Sequence, residues 1–326
     1  MTTAPYLSVV VPVYNEEESV DLLCQNLHNA LTQVGRTYEL ILVDDGSSDQ
    51  TWPKLVANSR RLPGFRLVRF RRNFGQTAAM SAGFNLARGE IIITLDADLQ
   101  NDPADIPLLL AEMDKGYDVV SGWRKNRQDT FVNRKLPSMM ANWLIGKMTG
   151  VPLHDYGCTL KAYRGDIMKD VHLYGEMHRF IPALAAWVGG KVTEVPVSHH
   201  ARRFGTSKYG ISRTFRVVLD LMTVKFLLHY STRPIQIFGR LGLFFGFLFF
   251  AMVVGLGLDR WVFNHGQSYV FLLKRPFWVI TPMMLLGFCL QFIIMGLLAE
   301  LQTRTYHEAQ GKKIYNVREI VESSAA

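Results

Sequence analysis

The sequence predicts an α/β domain with a mostly parallel sheet, followed by a membrane-associated C-terminal region. Short runs of β-branched residues alternate with helical segments between residues 7 and 121, which is typical of a sheet covered on both faces. Charged side chains directly follow several of these runs. Two long apolar stretches lie beyond residue 234. The chain therefore divides into a water-soluble part and an apolar part.

The elements of the soluble part follow one another with short connections. The run Leu7-Ser-Val-Val-Val-Pro-Val13 predicts the first strand. Three acidic residues, Glu16 to Glu18, favour a helix beginning there, because they lie at its positive N-terminal end. The same alternation predicts the remaining elements, in order: helix 16–33, strand 39–43, a helix beginning over 49–58, strand 65–69, helix 77–87, strand 91–95, helix 103–115 and strand 119–121.

Each long apolar stretch is sufficient to cross a bilayer, which needs roughly 20 apolar helical residues. They cover residues 235–258, with Arg240 as a single charge, and 277–299, with none. Buried helices of a soluble core seldom run this long without a polar stripe. The short linker predicts a hairpin, and the flanking basic residues favour a cytoplasmic position for both termini. The resulting division is a soluble domain 1–210, an interfacial helix 211–232, a transmembrane hairpin 233–301 and a cytoplasmic tail 302–326.

A second amphipathic segment, residues 136–148, fits either the membrane surface or packing against the soluble core.

Composition and motifs exclude several other classes of protein. With 48% hydrophobic and 20% charged residues, the chain is not disordered. Its three cysteines are far apart, which argues against a disulfide framework or a zinc site. No cleaved signal peptide is expected, and neither GxGxxG nor a P-loop follows the first strand. The net charge of +8 comes without a nucleic-acid recognition motif, so we expect no nucleic acid partner.

The strongest chemical signal is the sequence Asp96-Ala-Asp98-Leu-Gln100, directly after a predicted buried strand. Two carboxylates and an amide oxygen at this spacing suit a hard cation, Mg²⁺ or Mn²⁺, which also bridges to phosphates. Asp44 and Asp45 follow another strand. A turn explains part of that motif, but a carboxylate there is also suited to accept a hydrogen bond from a nucleotide base. Ligands of open α/β sheets bind at these carboxyl ends.

Basic residues form the third signal. Arg124, Arg134 and Lys161 are scattered, and each alone is an ordinary surface charge. The sequence Arg202-Arg-Phe-Gly-Thr-Ser207-Lys208 is more specific. Its Arg, Ser and Lys side chains donate to phosphate, and it lies just before the predicted interfacial helix. It is therefore placed where the phosphate of a lipid would lie.

These motifs together resemble the inverting glycosyltransferases of family two with the GT-A fold. That group includes dolichol-phosphate mannose synthases, and with its two C-terminal spans the chain is most similar to bacterial polyprenyl-phosphate (bactoprenol) glucosyltransferases. The resemblance covers nearly the whole chain and rests on seven motifs in order: Pro12-Val-Tyr14-Asn-Glu16, Val43-Asp-Asp-Gly-Ser47, Asn73-Phe-Gly-Gln76, Asp96 to Gln100, Ser121-Gly-Trp-Arg124, Asp155-Tyr-Gly-Cys158 and Arg202 to Lys208.

The resemblance implies a role for each matching residue. Asp96, Asp98 and Gln100 are expected to hold the metal, with Asp96 also at the diphosphate. Asp155, Arg124 and Lys208 are expected to be catalytic, with Asp155 orienting the substrate or serving as a weak base rather than as an obligatory proton acceptor. The nucleotide-sugar pocket is expected to comprise Pro12, Tyr14, Glu16, Asp45, Gln76, Asp96 and Arg124. The acceptor phosphate is expected to contact Arg134, Arg202, Ser207 and Lys208.

The implied reaction transfers a hexose from a UDP-sugar donor to polyprenyl (undecaprenyl) phosphate, on the cytoplasmic face of the inner membrane. Glucose is the sugar expected first. The alternatives are mannose from GDP-mannose, an N-acetylhexosamine or a modified arabinose. A non-catalytic nucleotide-binding membrane regulator is the alternative of a different class. The resemblance also implies a homo-oligomer, a tetramer.

Overall fold

The computed structural model describes residues 4–125, 136–173, 175–201, 219–226 and 314–323, together with isolated helical residues between 280 and 305. The chain forms two compact units. One contains residues 1–224 and 312–326, and the other contains residues 225–311. The predicted span 235–258 lies outside the described residues, and only isolated positions of 277–299 are described. Among the residues that are described, no helix combines the length and the apolar character needed to cross a bilayer.

Within the described residues, the first unit is built on an eight-stranded sheet in the order β7-β5-β6-β4-β1-β2-β3-β8. The pairs β1–β2, β1–β4, β2–β3 and β5–β7 are parallel. The pairs β4–β6, β5–β6 and β3–β8 are antiparallel. The strands are β1 Leu7–Val13, β2 Tyr38–Asp44, β3 Phe65–Phe70, β4 Ile91–Thr94, β5 Val119–Trp123, β6 Lys161–Arg164, β7 Val192–Pro196 and β8 Val317–Glu322.

The described helices cover the two faces of this sheet. They are α1 Val20–Val34, α2 Thr51–Arg61, α3 Gln76–Leu86, α4 Ile106–Met113, α5 Leu136–Thr149, α6 Gly165–Lys169 and α7 Ile181–Trp187. The main apolar core includes Val9 and Leu42 of the sheet, Leu27 of α1 and Leu109 of α4. Helix α3 packs on the other face against β1 and β2. The strand runs are β-branched because side chains of a sheet covered on both faces must be apolar throughout.

All nine predicted elements of the soluble part are confirmed, with shifted ends. Helix α1 begins at Val20 rather than at residue 16, and the Glu16 carbonyl accepts hydrogen bonds from the Ser19 and Val20 amides at 3.1 and 3.0 Å, which close a turn just before the helix. Residues 103–105 form a 3₁₀ turn before α4. The glutamates thus precede the helix in a turn instead of forming its first residues.

Two features concern the predicted membrane-associated regions. Helix α5 confirms a helix over 136–148, and it leaves Met139, Met140 and Trp143 exposed, the last by 64%. The tail predicted over 302–326 contains an unpredicted strand, β8, which pairs with β3. Tyr315, just before β8, stacks on Phe70 with ring centroids 5.1 Å apart. The end of the chain is therefore part of the first unit.

Candidate active site

The candidate site lies at the carboxyl ends of β1, β2, β4 and β5. Val13 at the end of β1 pairs with Asp44 at the end of β2, and β4 is the other neighbour of β1. The segments that leave these strands therefore meet at one edge of the sheet. They carry Tyr14 to Glu16, Asp45, the Asp96–Gln100 motif and Arg124. The grouping that the sequence predicts is present in the fold.

The two adjacent acids after β2 have different partners. Asp44 is fully buried, and its Oδ1 accepts a hydrogen bond from the Ser47 amide at 3.0 Å. Asp45 turns to the next loop, where its two carboxylate oxygens accept from the Phe74 and Gly75 amides at 2.7 and 2.9 Å. Burial raises the pKa of Asp45 to about 6, although both amide hydrogen bonds oppose the shift. Asp45 thus fixes the shape of the loop that leads into α3.

The loop after β1 is attached to the same region. Asn15 has a φ of 53°, its amide donates to Ser47 Oγ at 2.9 Å, and its side chain accepts from the Ser48 amide at 2.9 Å. Tyr14 is exposed, whereas Pro12 and Glu16 are half-buried. A left-handed backbone at a residue other than glycine is uncommon and clusters at functional sites. Three of the seven residues predicted for the nucleotide-sugar pocket therefore lie at or just after the end of β1, beside the site.

The Asp96–Gln100 motif forms a tight turn after β4. Gln76 Nε2 donates to Asp96 Oδ1 at 2.8 Å, and the Gln100 amide donates to Asp98 Oδ1 at 3.1 Å. Leu99, between them, has a φ of 58°. Burial, and then the charge of Asp98, raise the pKa of Asp96. The side-chain amide of Gln76 thus lies beside Asp96. The sequence analysis assigned both residues to the nucleotide-sugar pocket.

The donor set of this turn fits a divalent cation that is shared with a substrate. In the described part of the chain, no group of three His, Cys, Asp or Glu side chains converges on one point. Mg²⁺ sites at phosphates need only one or two protein carboxylates, and the phosphates and water supply the remaining ligands. Two neighbouring carboxylates whose repulsion raises the pKa of Asp96 are suited to such a cation, because its charge removes that repulsion.

Arg124 and Asp155 face each other across the other side of the site. Arg124 Nε donates to Asp155 Oδ2 at 2.7 Å, and Nη2 donates to Oδ1 at 3.0 Å. Burial disfavours the charge of Arg124, but the hydrogen bonds and attraction of Asp155 outweigh it and raise the pKa of the guanidinium. The Gly157 amide also donates to Asp155 Oδ1, at 3.0 Å. The pair therefore joins the end of β5 to the turn over residues 155–157.

A buried polar cavity adjoins Asp96, between the sheet, α3 and the 3₁₀ turn Met177–Phe180. Sequence reasoning noted Lys161 only as a scattered cation and missed Tyr163 and His178 entirely. Lys161 and Tyr163 alternate on β6 and thus share one face, which is a weak signal in the sequence. His178 Nδ1 lies 2.9 Å from Thr77 Oγ1, a contact between residues far apart in the chain. Only the tertiary structure brings these side chains together.

Four predicted residues, Arg134, Arg202, Ser207 and Lys208, lie outside the described residues. Their predicted contact with the acceptor phosphate remains a prediction. The other predicted site residues all lie at the described edge of the sheet or in the loops that it supports.

Comparison with known proteins extends these observations. Residues 8–171 match the family described as glycosyl transferase family 2. The chain is 47% identical to a protein of Rhizobium johnstonii named dodecaprenyl-phosphate galacturonate synthase, over 98% of this chain and 94% of that protein. It is 40% identical to a Klebsiella pneumoniae protein named undecaprenyl-phosphate 4-deoxy-4-formamido-L-arabinose transferase, over 97% of this chain and 93% of that protein.

The fold is also found in solved structures of low sequence identity. Glucosyl-3-phosphoglycerate synthase of Mycobacterium tuberculosis, crystallised with Mn²⁺, uridine diphosphate and phosphoglyceric acid, has a TM-score of 0.54 at 16% identity. The match covers 68% of this chain and 78% of that chain. S. aureus TarS in complex with UDP-GlcNAc has a TM-score of 0.50 at 20% identity, over 68% of this chain and 66% of that one. These similarities identify the α/β architecture as the GT-A fold.

Proposed function

Because the chain belongs to glycosyl transferase family 2 and is a glycosyltransferase, we propose that it transfers a sugar from a nucleotide diphosphate donor to polyprenyl phosphate. One observation carries the proposal. Asp45, Asp96 and Asp98 lie at one edge of the sheet, in a chain that matches named polyprenyl-phosphate sugar transferases over nearly its whole length. The proposal places the donor nucleotide against the Asp45 loop and the donor diphosphate at Asp96 and Asp98.

Asp96, Asp98 and Gln100 would hold Mg²⁺ or Mn²⁺ in this reaction. The bound cation supplies positive charge that stabilises the departing nucleoside diphosphate. Gln76 holds the carboxylate of Asp96 by its 2.8 Å hydrogen bond, and the turn at Leu99 fixes the direction of Asp98. Preorganised groups of this kind need no rearrangement as the charge develops.

The acceptor phosphate needs little help from a base. A phosphate monoester with its second pKa near 6 is largely dianionic at neutral pH. The chain must therefore position two anionic substrates rather than remove a proton. Both oxygens of Asp155 accept hydrogen bonds from Arg124, which supports an orienting role for Asp155. In-line attack on the anomeric carbon would invert its configuration and give a β-linked product from an α-linked donor.

Arg134, Arg202, Ser207 and Lys208 would bind the acceptor phosphate beside the membrane. Two described features support a membrane location: the exposed apolar side chains of α5, and Leu219 and Met222 in the helical segment 219–226. Strand β8 supports a hairpin topology, since residues on both sides of 225–311 belong to one unit. We therefore propose an inner-membrane protein with the catalytic domain and both termini in the cytoplasm. Tetramer formation stays a prediction.

The sugar is the least constrained part of the proposal. The names of the relatives mention galacturonate and 4-deoxy-4-formamido-L-arabinose, so glucose stays a prediction without their support. A donor panel resolves it: purified full-length protein in nanodiscs, polyprenyl phosphate, Mg²⁺ or Mn²⁺, and mass detection of the lipid product. We expect one UDP-sugar to give a lipid-linked product only when a divalent cation is present.

A matched pair of variants makes the experiment specific to the site. Asp98→Ala should abolish transfer, whereas Asp102→Asn should leave it intact, because Asp102 caps the following 3₁₀ turn and an asparagine retains that cap. Both variants should have the same melting temperature as the native protein. Unchanged transfer by Asp98→Ala would refute the metal assignment. Absence of transfer with every UDP- and GDP-sugar would refute polyprenyl phosphate as the acceptor.

A further inference from the structure

The cavity beside Asp96 contains a buried cation that the proposed reaction has not used. Lys161 is 2% exposed, and among the described residues its Nζ makes one hydrogen bond, to the Tyr156 carbonyl at 3.1 Å. The charge of Asp155 also acts on Lys161, but both oxygens of that carboxylate are held by Arg124, at 2.7 and 3.0 Å. An ammonium group has three donors, so two of them have no partner among the described residues. Burial of an ammonium group with unsatisfied donors costs free energy unless a ligand supplies hydrogen-bond acceptors.

A second polar side chain in the cavity, Tyr163, is also buried and has unused hydrogen-bonding capacity. The Tyr163 hydroxyl is fully buried and makes no close hydrogen bond among the described residues, although it interacts with the side chain of Thr94, whose own hydroxyl donates to the Thr159 carbonyl at 2.7 Å. Its ring packs edge-on against Phe84, which holds the hydroxyl at the wall of the cavity. Most buried polar groups are hydrogen-bonded, so a hydroxyl that makes no close hydrogen bond to the described residues, beside an incompletely bonded ammonium, indicates a place for an oxygen-rich group.

The charges around the cavity favour an anion. Lys161 and Arg179 are the cations of its described wall, and Asp96 is the carboxylate. Burial lowers the pKa of Lys161 to about 8, so this lysine is still largely charged at neutral pH. Burial, with the charges of Arg179 and Lys161, lowers the pKa of His178 to about 3, which leaves this imidazole neutral.

We propose that this cavity binds a carboxylate of the donor sugar, with Lys161 and Tyr163 as the residues that select it. The inference rests on the proposed function, which places the donor diphosphate at Asp96. The sugar is the next group along the donor, and the cavity begins at the same aspartate. A carboxylate would accept from Lys161 Nζ and from the Tyr163 hydroxyl, whereas the neutral hydroxymethyl group of a hexose would offer the ammonium no charged acceptor. The donor class is therefore a nucleotide-linked uronic acid.

The test compares two donors that differ only at this substituent. The full-length protein in nanodiscs is assayed with polyprenyl phosphate and either UDP-galacturonate or UDP-galactose, and with UDP-glucuronate or UDP-glucose. The measured quantity is the ratio of kcat/KM for the acid to that for the neutral sugar. We expect the native protein to prefer one acid at least tenfold. In Lys161→Met that ratio should fall by about 10- to 100-fold, the usual range for a hydrogen bond to a charged group.

Two further variants separate selection from folding. Tyr163→Phe removes a hydroxyl that makes no close hydrogen bond to the described residues, so it should keep the melting temperature and still lower the ratio several-fold. If Lys161→Met does not fold, the donor ratio of Tyr163→Phe tests whether the cavity selects a carboxylate. Lys115→Met, an exposed lysine paired with Glu112, is the matched control and should leave the ratio unchanged.

The possible outcomes distinguish this inference from the proposed function. Equal losses for acidic and neutral donors in Lys161→Met, or a weaker affinity for UDP alone, would mean that Lys161 supports the 155–157 turn or the diphosphate, and the inference would be wrong. Transfer of a neutral sugar in preference to both acids would also overturn it, while the proposed function would stand. Failure of every donor would instead overturn the proposed function.

Discussion

Arg124 and Asp155 form a two-point ion pair that connects the end of β5 to a turn 31 residues later. Their contacts measure 2.7 and 3.0 Å, and their side chains are only 13% and 8% exposed. In an ion pair this buried, each charge depends on the other for compensation. Removal of either residue therefore takes from the other its two-point ion-pair partner.

Substitution of either Arg124 or Asp155 should lower the stability of the folded protein. We expect Asp155→Asn to lower the free energy of unfolding by about 3–5 kcal/mol, because the buried Arg124 guanidinium loses the carboxylate that is paired with it. Denaturant unfolding of Asp155→Asn, Arg124→Met and the double variant measures the coupling, which should exceed about 1 kcal/mol. Additive losses would contradict the pairing, and Asp166→Asn, on the exposed helix α6, is the control.

Nucleotide binding should depend on pH through Asp45. Its pKa of about 6 means that the carboxylate ionises as the pH rises from 5 to 7, and the ionised form is the one that accepts from both Phe74 and Gly75. We therefore expect the affinity for uridine, which carries no phosphate, to increase over this interval in calorimetric titrations. Asp45→Asn should bind weakly with no such pH dependence. A native affinity that is constant from pH 5 to 7 would disprove this coupling.

Two glycines with similar backbone angles should respond differently to alanine. Gly46 and Gly35 have φ values of 72° and 67°. A Cβ at Gly46 would lie 2.5 Å from the Arg72 carbonyl carbon, whereas one at Gly35 would have no described atom within 4 Å. Gly35→Ala should cost about 1–2 kcal/mol of backbone strain. Gly46→Ala should cost about 1–3 kcal/mol more.

Thermal and denaturant unfolding check these values. Gly46→Ala should also weaken uridine binding, because the displaced backbone leads directly into the Phe74–Gly75 segment that Asp45 holds. Equal stability of the two variants would show that the close approach of Gly46 to Arg72 is unimportant.

The C-terminal residues should stabilise the catalytic unit. Tyr315 is 5% exposed, stacks on Phe70 and accepts a hydrogen bond from Asn85 at 3.1 Å. Tyr315→Ala should destabilise the unit by about 3–5 kcal/mol. Tyr315→Phe, which keeps the stack, should cost only about 1 kcal/mol. Hydrogen exchange of the β3 amides, measured in the full-length protein, should be faster in Tyr315→Ala than in Tyr315→Phe. Equal protection of β3 in the two variants would contradict the stabilising role of Tyr315.

Local patterns in the sequence were sufficient for much of this architecture. The β-branched runs identified the strands because a sheet covered on both faces needs apolar side chains throughout, and the Asp96–Gln100 motif is contained in five consecutive residues. Strand β8 was not predictable in this way. It is short and half charged, and it depends on β3, where Arg66 and Arg69 lie 2.8 and 3.6 Å from Glu322 and Glu319.

The sequence by itself therefore determined the order of the elements, the family and the acidic motif, because each depends on residues that are close together in the chain. The tertiary structure decided what depends on distant residues. It paired Arg124 with Asp155, turned Asp45 toward the Phe74–Gly75 amides, and placed Lys161, Tyr163 and His178 around one cavity beside Asp96. Burial in that cavity, which no local pattern encodes, is what gives Lys161 its unused donors and its proposed role in choosing the sugar.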